Sequence, residues 1–156
     1  MSSILRTVAG EVRAEHGLFA VASVVDGQLV GSALGEMEPP DGPDERVSAG
    51  HDGLIIQAAH HLHHLHAIHG RFERWDGLPP MDAWEELWAG RLFLKSELVG
   101  VVAWAAGYPY RLEFDLGQGE TTWSARVVTK ILQTEEEAGF PEAIAQVELY
   151  KIQFWT

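Results

Sequence analysis

The sequence predicts an α+β fold, in which a mainly antiparallel sheet packs against one long His-rich helix and one or two shorter helices. Three observations indicate this fold. An Asp26-Gly27 turn joins two apolar runs, residues 110–116 alternate apolar and polar side chains, and an apolar stripe of helical spacing crosses a histidine-rich segment. With 156 residues, 46% of them hydrophobic, the chain is predicted to form a single domain over residues 1–156.

The N-terminal third predicts strands followed by a loop. Ile4–Arg13 has a weak strand pattern, and Leu18–Val25 and Gln28–Leu34 flank the Asp-Gly dipeptide, which is a strong hairpin signal. Both faces of residues 19–25 are apolar, so this strand is predicted to be central and covered. The stretch Glu36–Gly50 contains three prolines and is predicted to be a loop.

The long helix is predicted to run from about Gly53 to Arg74. Apolar residues recur there at the spacing of one helical face: Leu54, Ala58, Leu62, Leu65 and Phe72. Six of the ten residues from His60 to His69 are histidine. At about 100° per residue, His60 and His64 lie one turn apart on the polar face of this helix.

This histidine-rich helix suggests a metal site. Histidine is the commonest metal ligand, and the pair His60/His64 could chelate a divalent Zn or Ni ion with two neutral imidazoles. His63, His66 or His51 would complete the site. The alternative, in which these histidines form a solvated or partly buried helix face, stays open because no further ligand is evident in the sequence.

The second half predicts more strands and two shorter helices. Asp82 is predicted to cap a short helix that ends at Trp88, and Arg91–Ser96 and Leu98–Ala105 are predicted to pair as a hairpin. Tyr110–Leu116 reads as a half-buried antiparallel strand, followed after a glycine turn by Thr121–Leu132. Residues 141–155 fit both a helix and a strand, and a helix is favoured.

The net charge of −12 excludes general binding to nucleic acid or to an anionic membrane through a basic surface, and it favours a basic protein partner. Carboxylates concentrate in the proline-rich loop and on the wet face of the strand at 110–116. The candidate partner-binding residues are Glu36, Glu38, Asp41, Asp44, Glu45, Glu113 and Asp115. A purely solubilising role for these carboxylates is the open alternative.

Other features bound the function further. No apolar run of about 18 residues predicts a membrane span, and no secretory signal is evident. The absence of cysteine favours the cytoplasm and excludes thiol catalysis. No phosphate loop, nucleophile elbow or dinucleotide fingerprint occurs. An aromatic ligand pocket remains an alternative, formed by Trp84, Trp88, Trp104 and Trp123, although packing explains these residues equally well.

Residues Gly70–Val102 carry a recurrent layout, in which Phe72 and the turn Trp75-Asp76-Gly77 precede further apolar positions: Trp84, Leu87, Leu92 and Leu94. This layout resembles small bacterial α+β families grouped with the immunity proteins of polymorphic toxin systems. The likeness continues at residues 123–128 and covers about half of the chain. It implies a non-enzymatic protein that binds and blocks a toxin domain, and it supplies no catalytic residue.

The leading functional hypothesis is therefore a non-catalytic cytoplasmic binding protein and, more narrowly, an immunity-type inhibitor of a basic partner. Two alternatives stay open. One is a metal-dependent enzyme or metal sensor that uses the His60/His64 helix face, and the other is a small-molecule-binding domain with a tryptophan-lined pocket.

Overall fold

The computed structural model describes residues 1–29, 37–42, 44–59, 66–103, 110–133 and 146–156. All secondary-structure elements within these ranges are β-strands. The predicted α+β class is wrong, because the described part of the chain is all β. The strands are β1 Ile4–Val12, β2 Leu18–Val25, β3 Gln28–Leu29, β4 Val47–Gly50, β5 Gly53–Gln57, β6 His66–Trp75, β7 Glu85–Leu94, β8 Leu98–Ala103, β9 Arg111–Asp115, β10 Thr121–Gln133 and β11 Gln146–Trp155.

Two sheets are formed by the described strands. Sheet A has the order β1-β6-β11-β10-β7, and sheet B has the order β4-β5-β2-β8-β9, with the short β3 paired to β2. All neighbouring strands are antiparallel except β6 and β11, which are parallel. The C-terminal strand β11 therefore lies in the middle of sheet A, between β10, the strand that precedes it in the chain, and β6, which is far from it in sequence.

The hydrophobic core lies between the two sheets. Side chains at alternate positions of both sheets meet there, as expected for two sheets packed face to face. The Phe72 ring of β6 stacks on the Phe114 ring of β9 at 5.5 Å, and the Phe19 ring of β2 meets the Tyr150 ring of β11 edge-on at 5.1 Å. A second, smaller cluster around Ile55 covers the outer face of sheet B.

The predicted long histidine-rich helix is wrong, because strands occupy both of its ends. Residues Gly53–Gln57 form β5 and residues His66–Trp75 form β6. The apolar pattern predicted a helix because a spacing of four residues fits a helical face, but the same spacing also fits the period of two in a strand. Leu54 and Phe72 do face the core, but from two different strands in two different sheets.

The predicted short helix from Asp82 to Trp88 is also wrong, since Trp88 lies inside β7. Asp82 does accept a hydrogen bond two residues on, from the Trp84 N–H at 2.9 Å, but this closes a turn rather than a helix. The helix favoured for residues 141–155 is wrong where the chain is described, because Gln146–Trp155 is β11. A buried carboxylate, Glu148, concealed the alternation of this strand.

The second predicted hairpin is half right. Both segments contain strands, but β7 pairs with β10 in sheet A while β8 pairs with β2 and β9 in sheet B. The chain changes sheet at the turn after Leu94, so two strands that are adjacent in sequence do not pair. The Arg91–Leu94 part of the prediction therefore lies in the opposite sheet from Leu98–Ala103.

Other sequence predictions are confirmed. At the Asp26-Gly27 turn both residues have positive φ, 54° and 75°, which matches the turn that joins twisted strands. The preceding strand β2 is central in sheet B and is buried on both faces over Phe19–Val24. Strand β9 buries Phe114 and exposes its charged positions.

Within the described ranges, no helix has the length and hydrophobicity that a membrane span requires.

Candidate functional site

The proposed metal ligands are only partly placed. His60, His63 and His64 lie outside the described residues, and the helical spacing that grouped them does not hold on either side of them. The imidazole of His51 lies in the turn between β4 and β5, where it stacks on the Phe93 ring at 5.0 Å. No group of three metal-ligating side chains occurs among the residues that the structure describes. The metal site stays a prediction.

Three of the four tryptophans of the proposed pocket lie in the described residues. Trp123 is fully buried in the core, where its ring meets Phe154 edge-on. Trp88 is only partly buried at the core boundary, and Trp84 lies beneath the Lys151 ammonium, 4.1 Å from the ring centroid. Trp104 lies outside the described residues. The tryptophan pocket stays a prediction.

The acidic residues of the proline-rich loop are placed at the surface. Glu38, Asp41, Asp44 and Glu45 are all exposed, while Glu36 lies outside the described residues. Met37 anchors this loop against the outer face of sheet B, where its Cγ atom lies close above Gly50. The loop carboxylates therefore flank the β4 edge of sheet B.

Glu113 and Asp115 occupy the opposite edge of the same sheet. Both are exposed on β9, which is four strand spacings from β4, or about 19 Å. Glu113 accepts a hydrogen bond from the Tyr110 hydroxyl at 2.8 Å. Asp115 forms an ion pair with Arg6 at 3.3 Å and accepts a hydrogen bond from the Gly117 N–H. The two predicted acidic groups thus border sheet B without forming one continuous patch.

A different feature, absent from the sequence predictions, covers the outer face of sheet A. Strands β6 and β7 are separated in the sheet by β11 and β10, so residues 76–84 must cross over two strands. We call this segment the crossover loop. Pro79 within it is buried against the sheet. The crossover loop covers part of the outer face of sheet A, where polar side chains are buried: Glu73, Arg126 and Gln153.

Arg126 of β10 fastens the crossover loop to the sheet. Its guanidinium donates to the carbonyl oxygens of Pro79 and Pro80 at 3.3 and 3.2 Å and to the Gln153 side-chain oxygen at 2.8 Å. Arg126 is 4% exposed. Because a buried guanidinium must have its donors satisfied, these bonds hold the loop in one position.

The polar network continues across the sheet from Arg126, through Gln153, to the carboxylate of Glu73. The Gln153 amide donates to Glu73 Oε1 at 2.8 Å, the Trp75 indole N–H donates to the same oxygen at 3.1 Å, and Arg71 forms an ion pair with Glu73 Oε2 at 2.8 Å. One buried arginine and one buried glutamate are therefore linked through a glutamine. A charged residue inside the apolar run 123–128 was the sequence signal for this network.

The far end of the crossover loop is held by an ion pair. Asp82 Oδ2 accepts from the Lys151 ammonium at 3.1 Å, and the same ammonium lies over the Trp84 ring. Burial disfavours the charged form of Asp82, but the Trp84 N–H and Lys151 outweigh it, so the pKa of this carboxyl lies below its usual value. The pair is charged at neutral pH and fixes the last turn before β7.

A second buried polar cluster closes one end of the core. Glu148 is completely buried and accepts hydrogen bonds from the Tyr150 hydroxyl at 2.6 Å and the Ala59 N–H at 2.8 Å, with the Arg46 guanidinium at 3.6 Å. Arg46 also donates to the Tyr150 oxygen at 2.6 Å and to the Gln57 carbonyl. Burial and the neighbouring carboxylate raise the pKa of Tyr150 far above its usual value.

This arrangement ties both sheets together immediately before the histidine run. The Ala59 N–H belongs to the residue that precedes His60, and Glu148 belongs to the central strand of sheet A. A buried tyrosine that stays protonated and a paired carboxylate suit a structural anchor. Glu148 and Tyr150 of this cluster lie among core residues.

No family model matches the sequence, and no curated protein matches it. The structure is similar to the crystal structure of ComJ from Bacillus subtilis, which is described as an inhibitor of the DNA degrading activity of NucA. The TM-score is 0.52, the two sequences are 11% identical, and the likeness covers 99% of this chain and 98% of that chain. At this identity the likeness shows a common fold, and it extends over both chains almost completely.

Proposed function

We propose that this chain is a non-catalytic binding protein that inhibits a basic protein partner, in the manner of an immunity protein. The observation that carries this proposal is the nearly full-length likeness in fold to ComJ, a protein that inhibits a DNA-degrading enzyme. Because a fold alone does not determine a function, the proposal also needs support from the surface of this chain.

Charge supplies that support. A chain of net charge −12 attracts a basic protein over long distances, and enzymes that bind DNA commonly present basic surfaces to its phosphates. The exposed carboxylates Glu38, Asp41, Asp44 and Glu45 at one edge of sheet B, with Glu113 at the other, are placed to contribute to this attraction. Asp115 contributes less, because Arg6 neutralises it. We propose the cytoplasm as the compartment, consistent with the lack of cysteine.

The test is recovery of a partner with defined stoichiometry. The untagged chain, expressed at native level in its host, is purified at low and at high salt, and any protein recovered with it at 1:1 ratio is identified, expressed separately and purified. We expect a basic protein whose complex dissociates at high salt. We also expect one equivalent of this chain to abolish the activity of the partner, which is assayed first as DNA degradation because ComJ inhibits an activity of that kind.

A charge variant tests what the loop carboxylates contribute to inhibition. A variant with Glu38, Asp41, Asp44 and Glu45 replaced by their amides should need higher concentrations to inhibit at low salt. If no protein is recovered at 1:1 ratio, or if the recovered partner keeps full activity in the complex, the proposed inhibitor function is wrong.

A further inference from the structure

Exposed apolar side chains concentrate at one corner of the molecule. Of the eight large hydrophobic residues that are exposed in the described ranges, four lie either at the start of β1 or on the crossover loop: Ile4, Leu5, Leu78 and Met81. Leu78 is 65% exposed and Met81 is 75% exposed. Single exposed apolar residues are ordinary, but several in one place mark an interaction surface.

Direct contacts show that the two segments adjoin. The Ser2 hydroxyl donates to the Leu78 carbonyl oxygen at 2.6 Å, the Ser3 N–H donates to Asp76 Oδ1 at 2.7 Å, and the Asp76 N–H donates back to the Ser3 carbonyl. We call this surface of four apolar side chains the apolar corner. It spans the start of β1 and the crossover loop that β6 leads into.

Arg126 of β10 holds the crossover-loop part of the apolar corner against sheet A. The Arg126 guanidinium binds the two carbonyls that lie between Leu78 and Met81 in the chain, and its Nη1 atom approaches the Met81 sulfur at 3.3 Å. The two prolines at 79 and 80 restrict the backbone further. An apolar surface that is ordered before binding loses less conformational entropy on association, so it suits a docking site.

The rim of the apolar corner is acidic. Residues 76–86 contain four carboxylates and no lysine or arginine. Asp82 is paired with Lys151, so the negative charge of the rim comes from Asp76, Glu85 and Glu86. Glu85 and Glu86 are exposed at the start of β7. A second copy of this chain would bring the same carboxylates against each other in a symmetric contact, which disfavours self-association. A partner with lysine or arginine around an apolar recess is complementary to this surface.

We propose that the apolar corner is the surface on which the basic protein partner docks. This proposal rests on the inhibitor function proposed above and adds where the contact is made. Leu78 and Met81 enter an apolar recess of the partner, and basic side chains of the partner meet the carboxylates of residues 76–86. Arg126 is a positioning residue, because it fixes the loop without touching the partner.

The experiment compares two pairs of exposed apolar residues. One variant carries Leu78→Ser and Met81→Ser, and the matched control carries Ile131→Ser and Leu132→Ser, at an exposed pair near the end of β10. Each variant is titrated with the purified basic protein that forms the 1:1 complex with the unmodified chain. We expect binding to weaken at least about tenfold for the first variant and by less than about twofold for the control.

Methionine oxidation gives an independent readout on the unmodified chain. Hydrogen peroxide should oxidise both Met1 and Met81 in the free chain, because both are exposed. In the complex, Met81 should be protected while Met1 serves as the internal reference. Equal loss of affinity in both double variants, or unchanged oxidation of Met81 in a confirmed complex, would overturn the apolar corner and leave the inhibitor function standing.

Two further outcomes also decide the matter. If the chain is a dimer by sedimentation equilibrium and Leu78→Ser with Met81→Ser makes it monomeric, a second copy occupies the surface and the proposal is wrong. If the unmodified chain forms no 1:1 complex with any basic protein, the inhibitor function fails and the proposed docking surface fails with it.

Discussion

Glu148 is a carboxylate in the middle of an apolar core, and such a group is tolerated only when partners replace the water that it loses. The Tyr150 hydroxyl, the Ala59 N–H and the Arg46 guanidinium do this. Arg46 is itself nearly buried, with a side chain that is 11% exposed. Each of the two charges, on Glu148 and on Arg46, therefore offsets the cost of burying the other.

Replacing Glu148 with Gln should destabilise the fold strongly. The variant leaves the buried Arg46 guanidinium without its counter-charge, and removal of one partner from a buried ion pair costs about 3–5 kcal/mol. Urea denaturation monitored by tryptophan fluorescence measures the change in the free energy of unfolding. The control, Glu97→Gln at an exposed position, should change this free energy by less than about 0.5 kcal/mol. Equal changes in both variants would contradict the assigned role of Glu148.

Tyr150 makes stability depend on pH in the alkaline range. Its pKa is raised in the folded state, so the unfolded chain loses the phenolic proton first, and stability falls as pH rises above the unfolded value of about 10. The slope from this group is at most about 1.4 kcal/mol per pH unit. Tyr150→Phe should be less stable than the unmodified chain at pH 8, and the difference should shrink toward pH 11.

Urea denaturation of both proteins at a series of pH values gives the comparison. The other tyrosines and the lysines titrate in both proteins, so their effects cancel in the difference. Stability curves that stay parallel up to pH 11 would show that the Tyr150 hydroxyl is not held protonated by Glu148.

At the scale of elements, Arg126 holds the middle of the crossover loop, at Pro79 and Pro80. Arg126→Lys keeps the charge but loses the fork that reaches two carbonyls and Gln153 at once. Hydrogen exchange measured by mass spectrometry should become at least about tenfold faster over residues 77–84 and stay unchanged in the core strands. Arg91→Lys, at an exposed position of β7, is the matched control. Unchanged exchange over residues 77–84 would show that Arg126 does not hold the loop.

The sequence predicted elements well where a local signal was sufficient. The Asp26-Gly27 turn, the fully apolar strand that precedes it and the alternation in β9 each follow from a few adjacent residues. Helices were predicted where spacings of four residues fit both periods, as in β5 and β6, and where a buried polar residue interrupted the alternation, as Glu148 does in β11. Only the contacts made across the sheets separate these alternatives, and a single sequence does not contain them.

At the scale of the whole molecule, long-range pairing decides the fold. Strand β11 is the last in the chain yet lies between β6 and β10, and the crossover loop exists only because two strands separate β6 from β7. No local sequence pattern predicts the position of β11 or the crossover. For the same reason the sequence predicted acidic residues as partner contacts but missed the apolar corner. The two segments that form it are joined by the Ser2–Leu78 and Ser3–Asp76 bonds, which span 76 and 73 residues of the chain.

Charge and apolar surface should act on different steps of association with the proposed basic partner. Long-range attraction by net charge raises the association rate, whereas desolvated contacts slow dissociation. Replacing Glu38, Asp41, Asp44 and Glu45 by their amides should therefore lower the association rate about three- to tenfold at low salt and leave the dissociation rate nearly unchanged. The variant with Leu78→Ser and Met81→Ser should raise the dissociation rate and leave the association rate nearly unchanged. Surface plasmon resonance at two salt concentrations separates the rates, and a change of the same rate constant in both variants would contradict this division of roles.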